Sequence, residues 1–267
     1  MTLPEKLKLK ARRLFSTHNH NLLLELIYAD FKVYDRNSVL GIFWSLLNPA
    51  STLLIMYCVF ARNFGHGVKF YPLYLLIGVV MVNFFITTTT KMIKSLSSNR
   101  NIVLNSTIPR EDFILADLFV QTYKFIIELV LCCLLSLLYG ALAWQNLPLL
   151  LPLLLAYIGL VLAVGLIISL LHCFAMDIEH FWAIASRLFL FITPVFYSLD
   201  HISPFFSKLI YWFNPLTPFL LSFRQIFIND APMNLINYLY SIFWGCGALV
   251  FGYFIFLLFE NLAIERV

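Results

Sequence analysis

Residues 40–61 read LGIFWSLLNPASTLLIMYCVFA, a run of 22 residues without a charge. A helix of that length rises about 33 Å, enough to cross the roughly 30 Å hydrocarbon core of a bilayer. A short charged stretch follows, and then a second uncharged run from Tyr71 to Thr90. Either run alone also suits a buried helix of a soluble protein. Two in succession, in a chain that is 61% hydrophobic with a mean hydropathy of +0.86, leave too little polar side chain to cover a water-soluble globule. The chain reads as an integral membrane protein.

Outward from these two runs, the apolar segments predict one all-α membrane domain over residues 1–267, with six transmembrane helices at 40–61, 71–90, 113–141, 147–173, 181–199 and 235–259. Residues 1–38 form a basic tail and an amphipathic helix. In the latter, Leu23, Ile27, Phe31 and Tyr34 share one face, while Glu25, Asp30, Lys32, Asp35 and Arg36 carry the polar side. That stretch is too charged to span and is expected to lie in the membrane interface. Leu40-Gly41 turns it into the first span, since glycine permits a sharp change of direction. Pro49 frees a carbonyl within that span, which Ser45 and Ser51 are placed to answer. Thr193-Pro194 is expected to kink the fifth span. Between the fifth and sixth spans, residues 200–232 hold two apolar runs, Ile202–Phe213 and Leu216–Ile228, divided by Asn214-Pro215. Neither reaches 20 Å as a helix, so the pair predicts an outer re-entrant helical hairpin.

Charge sets the orientation. With the N-terminus in the cytoplasm, the inner segments hold thirteen Lys and Arg residues. The outer ones hold four: Arg62, Lys69, Lys208 and Arg224. This satisfies the positive-inside rule and puts both termini in the cytoplasm of a multi-pass inner-membrane protein. The basic balance lies in membrane-flanking loops, which argues against nucleic acid. No apolar h-region with a cleavage site follows the basic start, so no cleaved signal peptide is expected. Five cysteines, without a C-x-x-C pair, sit in or beside apolar runs and read as packing residues.

The longest polar stretch, Lys91 to Asp112, has room for a short helix from Asn99 closed by Pro109, and suggests a docking element. Asp117, Gln121, Lys124 and Glu128 then fall on one helix face. They are either intramembrane polar groups with a function or the start of a helix that extends below the membrane. No G-x-x-x-x-G-K-[ST], G-x-S-x-G or H-E-x-x-H occurs, so no catalytic residue and no nucleotide site is predicted. His172, Asp177, Glu179 and His180 cluster in sequence, but they read as a solvated loop rather than a metal site. Aromatic residues make up 17% of the chain; pairs such as Phe84-Phe85 and Phe196-Tyr197 suit either core and interfacial belts or a wide path for sugars.

This order of parts resembles the ABC-2 class of exporter permeases. Within it, the chain is most similar to O-antigen (Wzm-like) transmembrane subunits, with capsule and teichoic-acid permeases as relatives. The resemblance is carried by Val39-Leu40-Gly41-Ile42-Phe43-Trp44 with Pro49, Ile108-Pro109-Arg110, Asp177-Ile178, Thr193-Pro194-Val195-Phe196-Tyr197 and Asn214-Pro215, from about Leu22 to Ile228. Met176 departs from the arginine usual in that family before Asp177-Ile178. The resemblance implies a homodimer joined to two copies of a separate ABC ATPase that binds ATP and Mg, with no cofactor on this chain. It implies ATPase coupling through Asn99, Arg100, Ile102, Val103 and Asn105, with Asp177 and Glu179 at a second contact. The implied cargo is an undecaprenyl-diphosphate-linked polysaccharide, engaged near Arg36, Leu40 and Gly41. Its path would be lined by the first and fifth spans, with Phe43, Trp44, Phe196 and Tyr197 along it. Two alternatives stand beside this: an ABC-2 permease for drugs or small lipids, and a membrane enzyme acting on lipid-linked sugars through His172, Asp177 and His180.

Overall fold

The computed structural model describes residues 24–28, 43–65, 68–105, 108–229 and 232–264. Residues 24–28 are helical. The rest of the expected interface helix, with Arg36, Leu40 and Gly41, lies outside the described residues. The elements that follow are α1 (Phe43–Phe64), α2 (Tyr71–Ile93), the short α3 (Ser95–Ser98) and α4 (Arg100–Asn105), and α5 (Arg110–Leu138). A 3-10 turn (Trp144–Leu149) leads into α6 (Leu150–Phe174). Then come α7 (Ile178–Ile192), α8 (Pro204–Phe213), α9 (Leu216–Phe227) and α10 (Leu235–Ile264). Among the described residues, four helical segments are long and apolar enough to cross a membrane: Tyr71–Ile93, Arg110–Leu138, Trp144–Phe174 and Leu235–Ala263.

The sequence of α2 is apolar on every face, and the helix is accordingly central, touching α1, α5, α6, α7 and α9. Phe84 stacks on Phe125 of α5 with ring centroids 4.2 Å apart. Phe85 meets Trp182 and Phe189 of α7. The wholly buried Tyr157 of α6 donates its hydroxyl to the Met81 carbonyl at 2.8 Å, so its one polar atom is satisfied inside the bundle. The Phe84-Phe85 pair is therefore core.

The broadest helix contact joins α6 and α10, which run parallel. Small residues set their separation: a Cβ on Gly252 would stand 2.8 Å from Ala163 Cα, and one on Gly245 would meet the Ala156 carbonyl group. At the end of α5, Gly140 adopts φ +63°. The amides of Gly140 and Ala141 return to the carbonyls of Leu137 and Ser136, a left-handed glycine cap that stops the helix.

The expected fifth span differs most from what is observed. Its helix runs from Ile178 to Ile192 rather than 181–199, and Thr193 is already extended (ψ 133°) because the following proline disfavours the helical region. Thr193-Pro194 thus ends a helix instead of kinking one. In α1, Ser51 and Thr52 turn their hydroxyls onto the Asn48 carbonyl, both at 2.9 Å, rather than onto the carbonyl that Pro49 releases.

Candidate functional site

The bundle has two chemically different ends. At one, α2 terminates and α7 begins: Lys94 Nζ lies 2.7 Å from Glu179 Oε1. Beside this pair Ser97 Oγ is 3.4 Å from His172 Nδ1. The hydrogen bond from Lys94, and then its charge, hold the Glu179 carboxyl below its ordinary value. These contacts bring together two stretches singled out in the sequence, Lys91–Asp112 and the cluster from His172 to His180.

On the first loop, Asn99 separates α3 from α4. Its amide donates to the Ser95 carbonyl at 2.9 Å, while its own carbonyl receives the Ile102 and Val103 amides. Within α4, Val103 is buried (5% exposed) and Ile102 points outward (45%). Arg100 is exposed, and Asn105 is the last residue of the helix. On the second loop, Asp177 is exposed and makes no side-chain cap to α7. With His172 turned to Ser97 and Glu179 to Lys94, the four acidic and histidine residues do not converge. Among the described residues no group of three or more His, Cys, Asp or Glu is gathered to hold a metal.

This end also collects the start of α5 and the end of α10. Arg110 Nη1 donates to Asn261 Oδ1 at 2.8 Å and stands 4.0 Å from Glu260. Lys91 holds Asp117 at 2.9 Å. Asp117 therefore belongs to this end of the bundle, while Gln121, Lys124 and Glu128 continue inward along α5.

At the opposite end, α8 and α9 form two short helices broken at Asn214-Pro215. Asn214 Oδ1 accepts the Leu216 amide at 3.0 Å and its Nδ2 donates to Thr193 Oγ1 at 2.8 Å. No residue of α8 is buried, whereas α9 is mostly buried. Arg224 of α9 is 5% exposed. Its guanidinium donates to the carbonyls of Pro194 (2.8 Å), Val195 (2.9 Å) and Tyr74 (3.2 Å) and lies over the Tyr74 ring. In sequence Arg224 reads as an outer-loop charge. Only the fold shows that it locks α9 onto α2 and onto the extended segment after α7.

Of the residues expected along the path, Phe43 begins α1 and Trp44 is exposed. Phe196 is buried (3%) and stacks on Phe60 of α1 at 4.8 Å, so in the single chain it packs rather than lines. Tyr197 is half-buried and donates its hydroxyl to the Ile192 carbonyl at 3.0 Å, capping the end of α7. The open faces of α1 and α7 instead carry Leu47, Leu54, Ile55, Phe181, Ile184, Leu188 and Phe191.

Comparison with known proteins follows the same outline. The sequence model of a family described as ABC-2 type transporter matches residues 21–228. A Klebsiella pneumoniae protein named O-antigen export system permease protein RfbA is 28% identical over 238 residues, covering 86% of this chain and 88% of that protein. A second protein of that name from the same organism matches to the same extent. A Myxococcus xanthus protein of that name is 23% identical over 207 residues, 77% of this chain and 80% of the relative.

Proposed function

The chain belongs to the ABC-2 type transporter family, a family of membrane transport subunits, and on that premise we propose that it is the permease of an O-antigen-type polysaccharide exporter. The observation that carries this reading is the match to O-antigen export permeases, which runs over nearly the full length of both chains. The cargo is a polysaccharide on undecaprenyl diphosphate, moved across the bacterial inner membrane by a homodimer of this chain. Two separate ABC ATPase subunits bind ATP and Mg and supply the work.

In this reading the Lys94 end faces the cytoplasm, and α4 is the knob that the ATPase grips. Ile102 is the outward apolar contact, with Arg100, Asn99 and Asn105 around it; Val103 fastens the knob to the bundle. Asp177 and Glu179 stand at the second contact, tied to the first through Lys94. That link lets a push on α4 reach α7 directly. The chain crosses six times, with α1 and α7 added to the four long apolar segments. Residues 21–36 lie in the interface, α8 and α9 re-enter from outside, and both termini are cytoplasmic. Arg36, Leu40 and Gly41 receive the pyrophosphate. The path runs between two copies along α1 and α7, with Phe43 and Trp44 at its start and Tyr197 at its outer end.

Copurification with the ATPase, followed by ATP hydrolysis in nanodiscs with and without lipid-linked glycan, tests this. Glycan-dependent hydrolysis by the complex and none by the permease alone is expected. Hydrolysis that answers to small amphiphiles but not to the glycan would move the assignment to a drug or lipid exporter.

A further inference from the structure

Between α1, α2 and α5 the bundle holds a cavity of about 250 Å³. Its wall is polar: Asn48 from α1, Asn83 and Thr87 from α2, and Gln121, Lys124 and Glu128 from α5. Pro49 and the stacked rings of Phe84 and Phe125 make an apolar floor. Asn83 lies ten residues from the Ile93 end of α2 and Gln121 eleven from Arg110. Counted from the Lys91–Asp117 pair that marks the charged end, at 1.5 Å per residue Asn83 is about 12 Å along α2, and Lys124 and Glu128 are about 10 and 16 Å along α5. Ionisable groups at that depth are expensive and belong by default to a site with a task.

The lining selects a chemistry. Lys124 and Glu128 stand one turn apart on the same face, so the cavity offers an acidic and a basic group side by side rather than charge of a single sign. A phosphate there would meet the carboxylate and a metal ion the ammonium; an uncharged occupant meets neither penalty. Three amides, each offering a donor and an acceptor, suit hydroxyl groups, which also do both. Thr87 already spends its proton on the Asn83 carbonyl at 2.7 Å and offers only its oxygen lone pair. The volume is below the roughly 300–1,000 Å³ of drug-sized pockets, which admits one small ring rather than a length of chain.

We propose that this cavity is a binding site for a single uncharged sugar ring, inserted from the side of α1. Its place in transport rests on the export reading above; its affinity for a neutral sugar does not. The ring would bridge Asn48 on α1 to α2 and α5, and so report its presence to the helix that borders the path.

Cysteine protection tests this in the purified, reconstituted chain. Thr87→Cys is reacted with a small hydrophilic methanethiosulfonate and the adduct is located by mass spectrometry, so that native cysteines do not interfere. The probes are neutral monosaccharides in turn and the glycan released from its lipid carrier, with glycerol as the osmotic control. A binding sugar at twice its Kd slows modification about threefold, as mass action requires. Protection by monosaccharides alone identifies a free sugar as the ligand; protection by the released glycan identifies the cargo. Gln121→Leu and Glu128→Gln, checked for an unchanged elution profile, abolish protection without abolishing labelling. Labelling that no sugar slows means a hydrated void only and overturns the proposal, as does a folded Thr87→Cys chain that the reagent cannot reach. Protection in a chain that never engages an ATPase would sink the export reading and leave the site standing.

Discussion

Arg224 shows how one side chain decides what the sequence leaves open. A fork of donors reaches three carbonyls on two separate segments, so its loss orphans buried acceptors at about 1–3 kcal/mol each. Arg224→Leu is expected to lower the thermal unfolding temperature in detergent by several degrees. Arg224→Lys should fail to rescue it, because a point-like ammonium lacks the planar fork. A lysine variant as stable as the native chain would remove the claim. Glu179 tests the opposite end. Its pairing with Lys94 depresses the carboxyl, so the contact is fully present above the ordinary carboxylate pKa and is lost only as pH falls through the lowered value. ATPase coupling is therefore expected to show no titration of the Glu179 carboxyl between pH 6 and 8. Lys94→Glu should weaken coupling, and the double exchange Lys94→Glu with Glu179→Lys should restore it. Failure of the exchange to restore hydrolysis would mean that the pair is not part of the linkage.

Among elements, the uncharged run from Tyr71 and the break at Asn214-Pro215 were legible because each is a local property: the length of an apolar run in one case, a missing amide in the other. The end of α7 was misplaced by seven residues because apolarity continues past Thr193 while helix does not. Burial of the following residues depends on Arg224, thirty positions away, and no local pattern announces it. The parallel contact of α6 and α10 is half legible, since Gly159 and Ala163, four residues apart, give α6 the small-residue spacing of a close-approach face but do not name its partner. Gly245→Val and Gly252→Leu should each cost about 1–3 kcal/mol by overpacking, whereas Gly247→Ala, with open space around it, should be tolerated. In α4 the two apolar neighbours separate by role. Ile102→Asp should abolish copurification of the ATPase from a chain with a native elution profile; Val103→Asp should reduce the yield of folded chain itself.

At the scale of the molecule, the chain's charges and its contacts give independent statements about its sides. Lys91, Lys94, Arg100 and Arg110 gather at the end where Arg110 also meets Glu260 and Asn261, so the end of α2, the start of α5 and the end of α10 lie on one side. At the other end, among the described residues, the exposed lysines and arginines are Arg62, Lys69 and Lys208, since Arg224 is buried against protein. The contrast between the two sides is thus sharper than loop counting alone allows, and it predicts the Lys94 end inside. With the five native cysteines replaced by alanine, Ser98→Cys should resist a membrane-impermeant maleimide in intact cells and react in inverted vesicles. Lys208→Cys should do the reverse. The proposed path between two copies has no such signature, because the apolar faces of α1 and α7 assigned to it look the same whether lipid or a second chain covers them. The labelling pattern decides more than orientation: α4 can receive work from a cytoplasmic ATPase only if it stands on the ATPase's side. Reaction of Ser98→Cys from outside would therefore remove the mechanical basis of transport as well as the topology.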